Sequence, residues 1–131
     1  MSTDRERNWS VKSYAQALDL KSDPSLIEAY RRHHVAVWPE VVTGLRAIGI
    51  REMRIWLVGT RLFMLFEAPD DFDPSRDFRI YDRNPRCRRW EEWMRTFQVR
   101  LAEAGPQDWW TPMEEIFALS RCSGEIPTAA S

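Results

Sequence analysis

Alternation of hydrophobic and polar residues predicts four strands, because a strand with one buried face repeats every two residues. The first covers Val11–Leu20, and the second, Ile50–Val58, alternates apolar residues with arginine and tryptophan. Leu62–Glu67 is a nearly continuous apolar run, and the turn residues Gly59-Thr60 join it to the second strand as a hairpin. Met113–Leu119 is predicted to be the last strand.

Two helical segments are predicted between the first two strands. Asp23-Pro24 combines a capping side chain with a proline in the first turn, so it marks the start of a helix over Ser25–Val37. Pro39 has no backbone N–H and disfavours helical geometry in the residue before it, so the helix breaks there. A second segment, Glu40–Ile48, follows with an apolar side and ends at Gly49.

The region after the hairpin is predicted to contain a loop and two further helices. Ala68–Ser75 is rich in aspartate and proline, which predicts a loop, and a short helix through Phe78 follows it. Asn84-Pro85 opens a longer helix that is predicted to reach Ala104 before Gly105-Pro106 ends it. The apolar residues of this helix recur at helical spacing: Trp90, Trp93, Met94, Phe97 and Leu101.

The order of these elements predicts an α+β fold. Strand, helix, strand, strand, helix, strand is the ferredoxin-like βαββαβ arrangement, in which helices cover one face of an antiparallel sheet. The other face of such a sheet needs a cover, and a second copy of the chain related by twofold symmetry is the commonest one. We therefore expect a homodimer built from single domains of residues 9–120, with flexible termini at 1–8 and 121–131.

Composition argues against several classes of protein. The 131 residues, 44% of them hydrophobic, suffice for one domain. The 19 basic and 20 acidic residues nearly cancel, which argues against binding to nucleic acid or to an anionic membrane. Cys87 and Cys122 have neither the spacing of a metal site nor that of a disulfide framework. That spacing predicts no metal site. Because the sequence shows no apolar span or signal peptide, we expect a cytoplasmic protein.

The densest cluster of reactive side chains lies in the first helix, at Tyr30, His33 and His34. Residues four apart share one helix face, so Tyr30 and His34 point to the same side while His33 points elsewhere. A phenol and an imidazole on one face can handle protons together, and an imidazole pKa of roughly 6.5 allows proton exchange near neutral pH. The alternative is that His34 is an ordinary histidine at the surface or at the edge of the core. The tryptophans, likewise, are equally well explained as core residues.

Several segments together resemble the L-rhamnose mutarotase family. They are Tyr30–His34 leading into Val37–Glu40, Leu45–Gly49, Leu62–Glu67, Arg89-Trp90 with Met94, and Glu115–Leu119. The resemblance implies a dimeric α/β barrel of ferredoxin-like subunits that interconverts the α and β anomers of a 6-deoxy-L-sugar without a cofactor. It also implies that His34 is the catalytic histidine, that Tyr30 contacts the substrate and that Trp90 lines the pocket.

Two positions depart from the pattern of this family. Glu91 replaces the second of two pocket tryptophans, and Met53 replaces a pocket tyrosine. These departures, with Gly49-Ile50, Phe97-Gln98 and Met113–Phe117, are closer to the branch associated with L-fucose. The sequence thus predicts the same reaction with a different sugar preference, because a site built on one hydrogen bond rejects a sugar that leaves it unpaired.

Mutarotation removes a proton from the anomeric hydroxyl and delivers another to the ring oxygen, which opens the ring for closure on its other face. We expect His34 to carry the proton and Tyr30 to orient the sugar or the imidazole. Trp90 offers an apolar face to the C–H bonds of the sugar. Further predicted contacts are Glu91, Trp38, Met53, Glu67 and Arg54, with Glu40, Glu67 and Glu91 as candidates for the complementary proton.

Two alternative functions are compatible with the same fold, since a fold does not determine a function. A small oxygenase or haem-binding protein would use His33 or His34 as an axial ligand in an apolar pocket. A non-catalytic sugar-binding dimer would use the aromatic residues as its interface. Catalysed anomer exchange separates the mutarotase from the sugar-binding dimer, and a Soret band on adding haem would indicate the oxygenase.

Overall fold

Strands and helices follow one another largely in the predicted order. The structure is a computed structural model that describes residues 11–124, so the predicted domain start at Trp9 and residues 1–8 and 125–131 of the termini lie outside the described residues. The strands are β1 (Val11–Leu20), β2 (Glu52–Val58), β3 (Arg61–Pro69), β4 (Gln98–Val99) and β5 (Thr111–Pro112). The helices are α1 (Pro24–Val35), α2 (Pro39–Ala47), α3 (Pro74–Tyr81) and α4 (Pro85–Arg95), with a 3₁₀ turn at Leu119–Arg121.

The sheet is antiparallel, with β3 between β2 and β1 and with both β4 and β5 paired to β1. This order confirms the predicted ferredoxin-like α+β class. Leu18 lies opposite Leu62, and Met64 lies opposite Ile55. Because side chains alternate between the two faces of a strand, these residues share one face of the sheet. Leu18 and Leu62 belong to one core cluster with Trp90 of α4, so the helices cover this face.

The four helices described within residues 11–124 each begin with a proline in the first turn, where a backbone N–H has no helical partner to lose. Asp23, Asp73 and Asn84 accept hydrogen bonds from backbone N–H groups at the starts of α1, α3 and α4. These caps determine where each helix begins and therefore which residues face the sheet. None of the helices in this part of the chain is both long and apolar enough to cross a membrane.

The packing of α2 against α4 depends on a glycine at the crossing point. A Cβ atom on Gly44 would lie 2.9 Å from Sγ of Cys87 and 3.1 Å from the ring of Tyr81. The Cys87 thiol also donates a hydrogen bond to the carbonyl of Glu40, 3.3 Å away. The missing side chain therefore lets α2 approach closely, and this contact restrains the ring of Tyr81.

The longer helix predicted from Asn84-Pro85 to Ala104 is wrong in its C-terminal half, because α4 ends at Arg95. The Thr96 hydroxyl donates to the carbonyl of Trp93 at 2.6 Å, and the chain then turns. Gln98 and Val99 form β4 and pair with the end of β1. Pairing with a free strand edge satisfies backbone groups that a longer helix would leave unpaired on β1, so tertiary contact overrides the helical spacing.

The strand predicted over Met113–Leu119 is also wrong. In this part of the chain the strand is limited to Thr111 and Pro112, which pair with β1. The Met113 N–H adds one hydrogen bond of 2.8 Å to the carbonyl of Ala15. Proline has no N–H to donate, so Pro112 adds no donor of its own to this short pairing. The chain beyond Met113 leaves the sheet, and Ile116 is 89% exposed. The loop predicted over Ala68–Ser75 is shorter, because β3 continues to Pro69 and α3 begins at Pro74.

Candidate active site

A cavity of about 340 Å³ lies between the helices and the covered face of the sheet. Its volume falls within the roughly 300–1,000 Å³ typical of small-molecule sites. The sheet contributes Gln16, Met53, Ile55 and Met64 to its lining. The helices contribute Tyr30, His34, Val41, Trp90, Glu91 and Met94, among others. The cavity thus combines an apolar wall with a few groups able to exchange protons.

The predicted pairing of Tyr30 and His34 is present on α1. Their rings lie 4.4 Å apart between centroids, and Nδ1 of His34 lies 2.8 Å from the backbone carbonyl oxygen of Tyr30. A carbonyl oxygen only accepts hydrogen bonds, so Nδ1 carries the hydrogen in the neutral ring. This leaves Nε2 with the lone pair, which is the form in which an imidazole acts as a base.

Burial keeps the imidazole of His34 in this neutral form. Desolvation lowers the pKa of His34, and the neighbouring charge of His33 lowers it further. The hydrogen bond to the Tyr30 carbonyl favours the charged form and opposes this shift. The net direction is downward, so near neutral pH the ring can receive a proton.

Tyr30 is held in place from the opposite side by a buried amide. Nε2 of Gln98 donates a hydrogen bond of 3.1 Å to the Tyr30 hydroxyl, and the ring of Phe97 packs edge-on against the phenol. Burial raises the pKa of Tyr30 to about 12. The phenol therefore keeps its proton near neutral pH, and its hydroxyl remains a hydrogen-bond donor.

Trp90 is buried and forms the wall beside the imidazole. Its ring lies 5.5 Å from that of His34 and 5.3 Å from that of Trp38. Trp38, a predicted substrate contact, does not line the cavity. It stacks on Trp93 at 5.6 Å, and the guanidinium carbon of Arg86 lies 3.8 Å from its ring centroid. Trp38 thus supports Trp90 from behind.

Glu91 follows Trp90 in α4 and lines the same cavity, as does Met53 of β2. The Tyr81 hydroxyl donates to Oε2 of Glu91 at 2.9 Å. Desolvation is the main cause of a raised pKa for Glu91, and the charge of Asp82 adds to it. The Tyr81 hydrogen bond and the charge of Arg95 oppose the shift.

The structure does not bring Arg54 and Glu67 into the cavity. Arg54 lies opposite Leu65 and Glu67 lies opposite Glu52, so both occupy strand positions that alternate with the cavity-lining ones. The guanidinium carbon of Arg54 lies 5.1 Å from the ring centroid of Trp56 on this other face. Both residues are therefore remote from His34 within one chain.

Several cavity residues were not identified from the sequence. Gln16, Gln98 and Tyr81 line it, and the first two are single amides between apolar neighbours, a signal of a buried polar group. Trp109 and Trp110, for which the sequence predicts no role, also line the cavity. Their loop is held by Arg100, which donates to the backbone carbonyls of Gly105 and Asp108.

No group of three or more His, Cys, Asp or Glu side chains within residues 11–124 is arranged to hold a metal ion. Cys87 is buried and Cys122 is exposed, and both are free thiols.

Three comparisons relate the chain to known proteins. The family model for L-rhamnose mutarotase matches residues 13–119. A UPF0734 protein of Dictyostelium discoideum is 46% identical over 112 residues, which cover 82% of this chain and 90% of that protein. The L-fucose mutarotase of Xanthomonas campestris is 39% identical over 113 residues, which cover 85% of this chain and 90% of that enzyme. The crystal structure of an L-rhamnose mutarotase from Formosa agariphila aligns with a TM-score of 0.60 at 21% identity, covering 82% of this chain and 98% of that one, and supports the fold alone.

Proposed function

The chain belongs to the L-rhamnose mutarotase family and is a sugar mutarotase, an isomerase acting on carbohydrates, and we propose that it interconverts the anomers of a 6-deoxy-L-hexose with His34 as proton carrier. The family match favours this activity over an oxygenase or a non-catalytic sugar-binding dimer. L-fucose and L-rhamnose are the two candidate sugars. We favour L-fucose, because the Xanthomonas relative at 39% identity is an L-fucose mutarotase.

The observation that carries this proposal is the hydrogen bond from Nδ1 of His34 to the carbonyl of Tyr30. It selects the tautomer in which Nε2 is a base, and it does so on a residue that lines a cavity of sugar size. A surface histidine could make the same local hydrogen bond, but it would not be partly buried in the wall of a cavity as His34 is. A histidine packed only among aliphatic side chains would have no space for a substrate.

In the proposed reaction, Nε2 of His34 takes the proton of the anomeric hydroxyl as the ring opens. The electron pair of that O–H bond forms the aldehyde carbonyl, and the bond between the anomeric carbon and the ring oxygen breaks. Rotation about the adjacent C–C bond presents the other face of the carbonyl, and the reverse transfer closes the ring. Tyr30 would donate a hydrogen bond to the sugar, and Trp90 would cover its C–H face.

Adding the purified protein to L-fucose or L-rhamnose is expected to accelerate exchange between the α and β anomers. Saturation-transfer NMR between the two anomeric proton signals measures this exchange directly. We expect the larger acceleration with L-fucose, while L-galactose, which has the same configuration but carries a hydroxyl at C6, tests the requirement for the 6-deoxy group. Exchange rates equal to those in buffer alone for every sugar would contradict the proposed function.

We further propose that the chain forms a homodimer through the face of the sheet that its helices leave open. On this face Trp56 contacts Phe63, with 5.4 Å between ring centroids, and both lie beside Ala17 across the strands. Trp56 is 44% exposed and Val58 is 76% exposed. An apolar sheet face of this kind fits an identical face related by a twofold axis.

Replacing Trp56 with glutamate is expected to convert the dimer into monomers. The substitution would bring two carboxylates of like charge together at the twofold interface and would remove the apolar contact of two indole rings. Sedimentation velocity measures the change in mass. Ile80→Glu provides a matched control, since Ile80 is 42% exposed on the helical side of the molecule. A wild-type chain that sediments as a monomer would contradict the proposed dimer, as would a Trp56 variant that remains dimeric.

A further inference from the structure

The proposed reaction requires a second group, because one proton leaves the anomeric hydroxyl while another must reach the ring oxygen. The helix that carries Trp90 also contributes a carboxyl to the cavity that His34 lines. Trp90 contacts the imidazole, and the next residue of α4 is Glu91, which lines the same cavity. The charge of Glu91 also influences Tyr30, one turn before His34 on α1. The imidazole and this carboxyl are thus two wall groups of one cavity.

The hydrogen bond from Tyr81 determines how this carboxyl is held. The Tyr81 hydroxyl donates to Oε2 of Glu91, so Oε1 is the oxygen free to bear a proton. Tyr81 is itself buried and restrained against α2 by the close approach at Gly44. The carboxyl is therefore oriented by a rigid donor, as a group that exchanges protons with a substrate needs to be.

The surroundings of Glu91 raise its pKa, mainly through burial, which shifts the carboxyl toward its neutral form. The groups that influence it are Tyr81, Asp82, Arg95, Cys87 and Tyr30. Burial raises the pKa of Glu91 while burial lowers the pKa of His34. Two groups whose environments displace their proton affinities in these directions are suited to act as an acid and a base in one reaction.

Glu40 and Glu67, the other two carboxyls considered from the sequence, lack this placement. Glu40 is exposed and lies 3.8 Å from the guanidinium of Arg86. Glu67 lies on the opposite face of the sheet. Asp82 lines the cavity but is exposed to solvent; desolvation raises the pKa of its carboxyl, and the charges of Arg95 and Arg88 oppose this shift.

We propose that Glu91, oriented by Tyr81, is the second catalytic residue, which gives a proton to the ring oxygen as His34 takes one from the anomeric hydroxyl. This inference rests on the proposed function. The bond between the anomeric carbon and the ring oxygen breaks, its electron pair stays on that oxygen, and Oε1 of Glu91 supplies the proton. On closure the ring hydroxyl returns a proton to the Glu91 carboxylate, and the imidazolium of His34 returns one to the anomeric oxygen. Tyr81 is a positioning residue in this arrangement.

Glu91→Gln keeps the size and hydrogen-bonding capacity of the side chain but removes its transferable proton. We expect kcat for anomer exchange to fall about 10²-fold, with KM changed less than about threefold. Glu92→Gln is the matched control, since Glu92 is exposed one residue further along α4 and does not line the cavity. Its kcat should equal that of the wild type.

Tyr81→Phe tests the orienting hydrogen bond through the pH profile of kcat/KM. Tyr81 stabilises the carboxylate, so its removal raises the pKa of Glu91, and the limb that is absent in Glu91→Gln should move to higher pH. A purely structural role would lower the rate without moving that limb.

If the wild type is active and Glu91→Gln keeps its kcat, or differs from the wild type only in KM, the role of Glu91 is overturned and the proposed function stays intact. A wild type without catalysed exchange would overturn both. If Glu91→Gln failed to fold by circular dichroism, Tyr81→Phe would decide, since a high-pH limb of kcat/KM that stays at its wild-type position contradicts the proposal.

Discussion

Replacing His34 with alanine is expected to slow catalysed anomer exchange by about 10²- to 10⁴-fold, the range that a positioned acid or base contributes to a rate. The imidazole is the group for which the structure shows a defined tautomer, a partly buried site and a place in the cavity wall. Its removal takes away the acceptor for the anomeric proton, and water in the vacated space is a much weaker base. Saturation-transfer NMR at fixed sugar and protein concentration measures the loss.

His33→Ala is the control for this substitution, because it removes the same side chain one position earlier. The ring of His33 lies 4.1 Å from that of Trp93 and 5.5 Å from that of Phe97, outside the cavity lining. We expect this variant to keep most of the activity. Equal losses in both variants would show that the helix, and not the imidazole of His34, determines the rate.

The pH dependence follows from the direction of the His34 shift. Burial lowers the pKa of His34 below the usual 6.5, so the neutral, proton-accepting form persists to lower pH than in an exposed histidine. Activity should therefore hold at pH 6.5 and decline only as the pH falls through the lowered pKa. A rate that already declines as the pH is lowered from 8 to 7 would contradict this direction.

Replacing Phe66 with alanine is expected to lower the free energy of unfolding by about 3–5 kcal/mol, the cost of a large cavity in a packed core. Phe66 is fully buried in β3. Its ring stacks on Tyr14 at 4.8 Å and meets Phe72 and Phe78 edge-on, each at 5.8 Å. These rings occupy space that no neighbouring side chain can reach without moving the sheet away from α3, so the cavity would not collapse.

Urea denaturation followed by circular dichroism measures this loss. Ile80→Ala on α3 is the control, since that side chain is 42% exposed and its truncation should change the free energy by only about 0.5 kcal/mol. Similar losses in the two variants would contradict the packing described for Phe66.

The elements that could be predicted from the sequence are those whose signals are local. The caps and first-turn prolines at Asp23 and Asn84 predict where α1 and α4 begin, and the spacing of four between Tyr30 and His34 places both on one face. Alternation predicts β1, whose end at Leu20 the structure confirms. Each of these depends on residues a few positions apart, so the chain determines them without reference to its folded neighbours.

The ends of the predicted long helix and of the last strand could not be predicted in the same way. The residues Phe97 and Leu101 continue the helical spacing, yet Gln98 and Val99 leave the helix because the edge of β1 offers backbone partners. Met113–Leu119 has the apolar content of a strand, but its last backbone hydrogen bond to β1 is that of Met113 to Ala15, and the chain then leaves the sheet. In both cases the deciding partner lies many residues away.

The amino-acid sequence by itself determined the order of strands and helices, the helix face shared by Tyr30 and His34, and the aromatic wall next to them. Only the tertiary structure decided that Gln98 holds the phenol of Tyr30 and that Tyr81 holds the carboxyl of Glu91. It also decided that Arg54 and Glu67 face away from the cavity. The physical reason is range. Periodicity and capping act over a few residues, whereas a hydrogen bond from β4 to α1 spans 68 positions and exists only after the chain has folded.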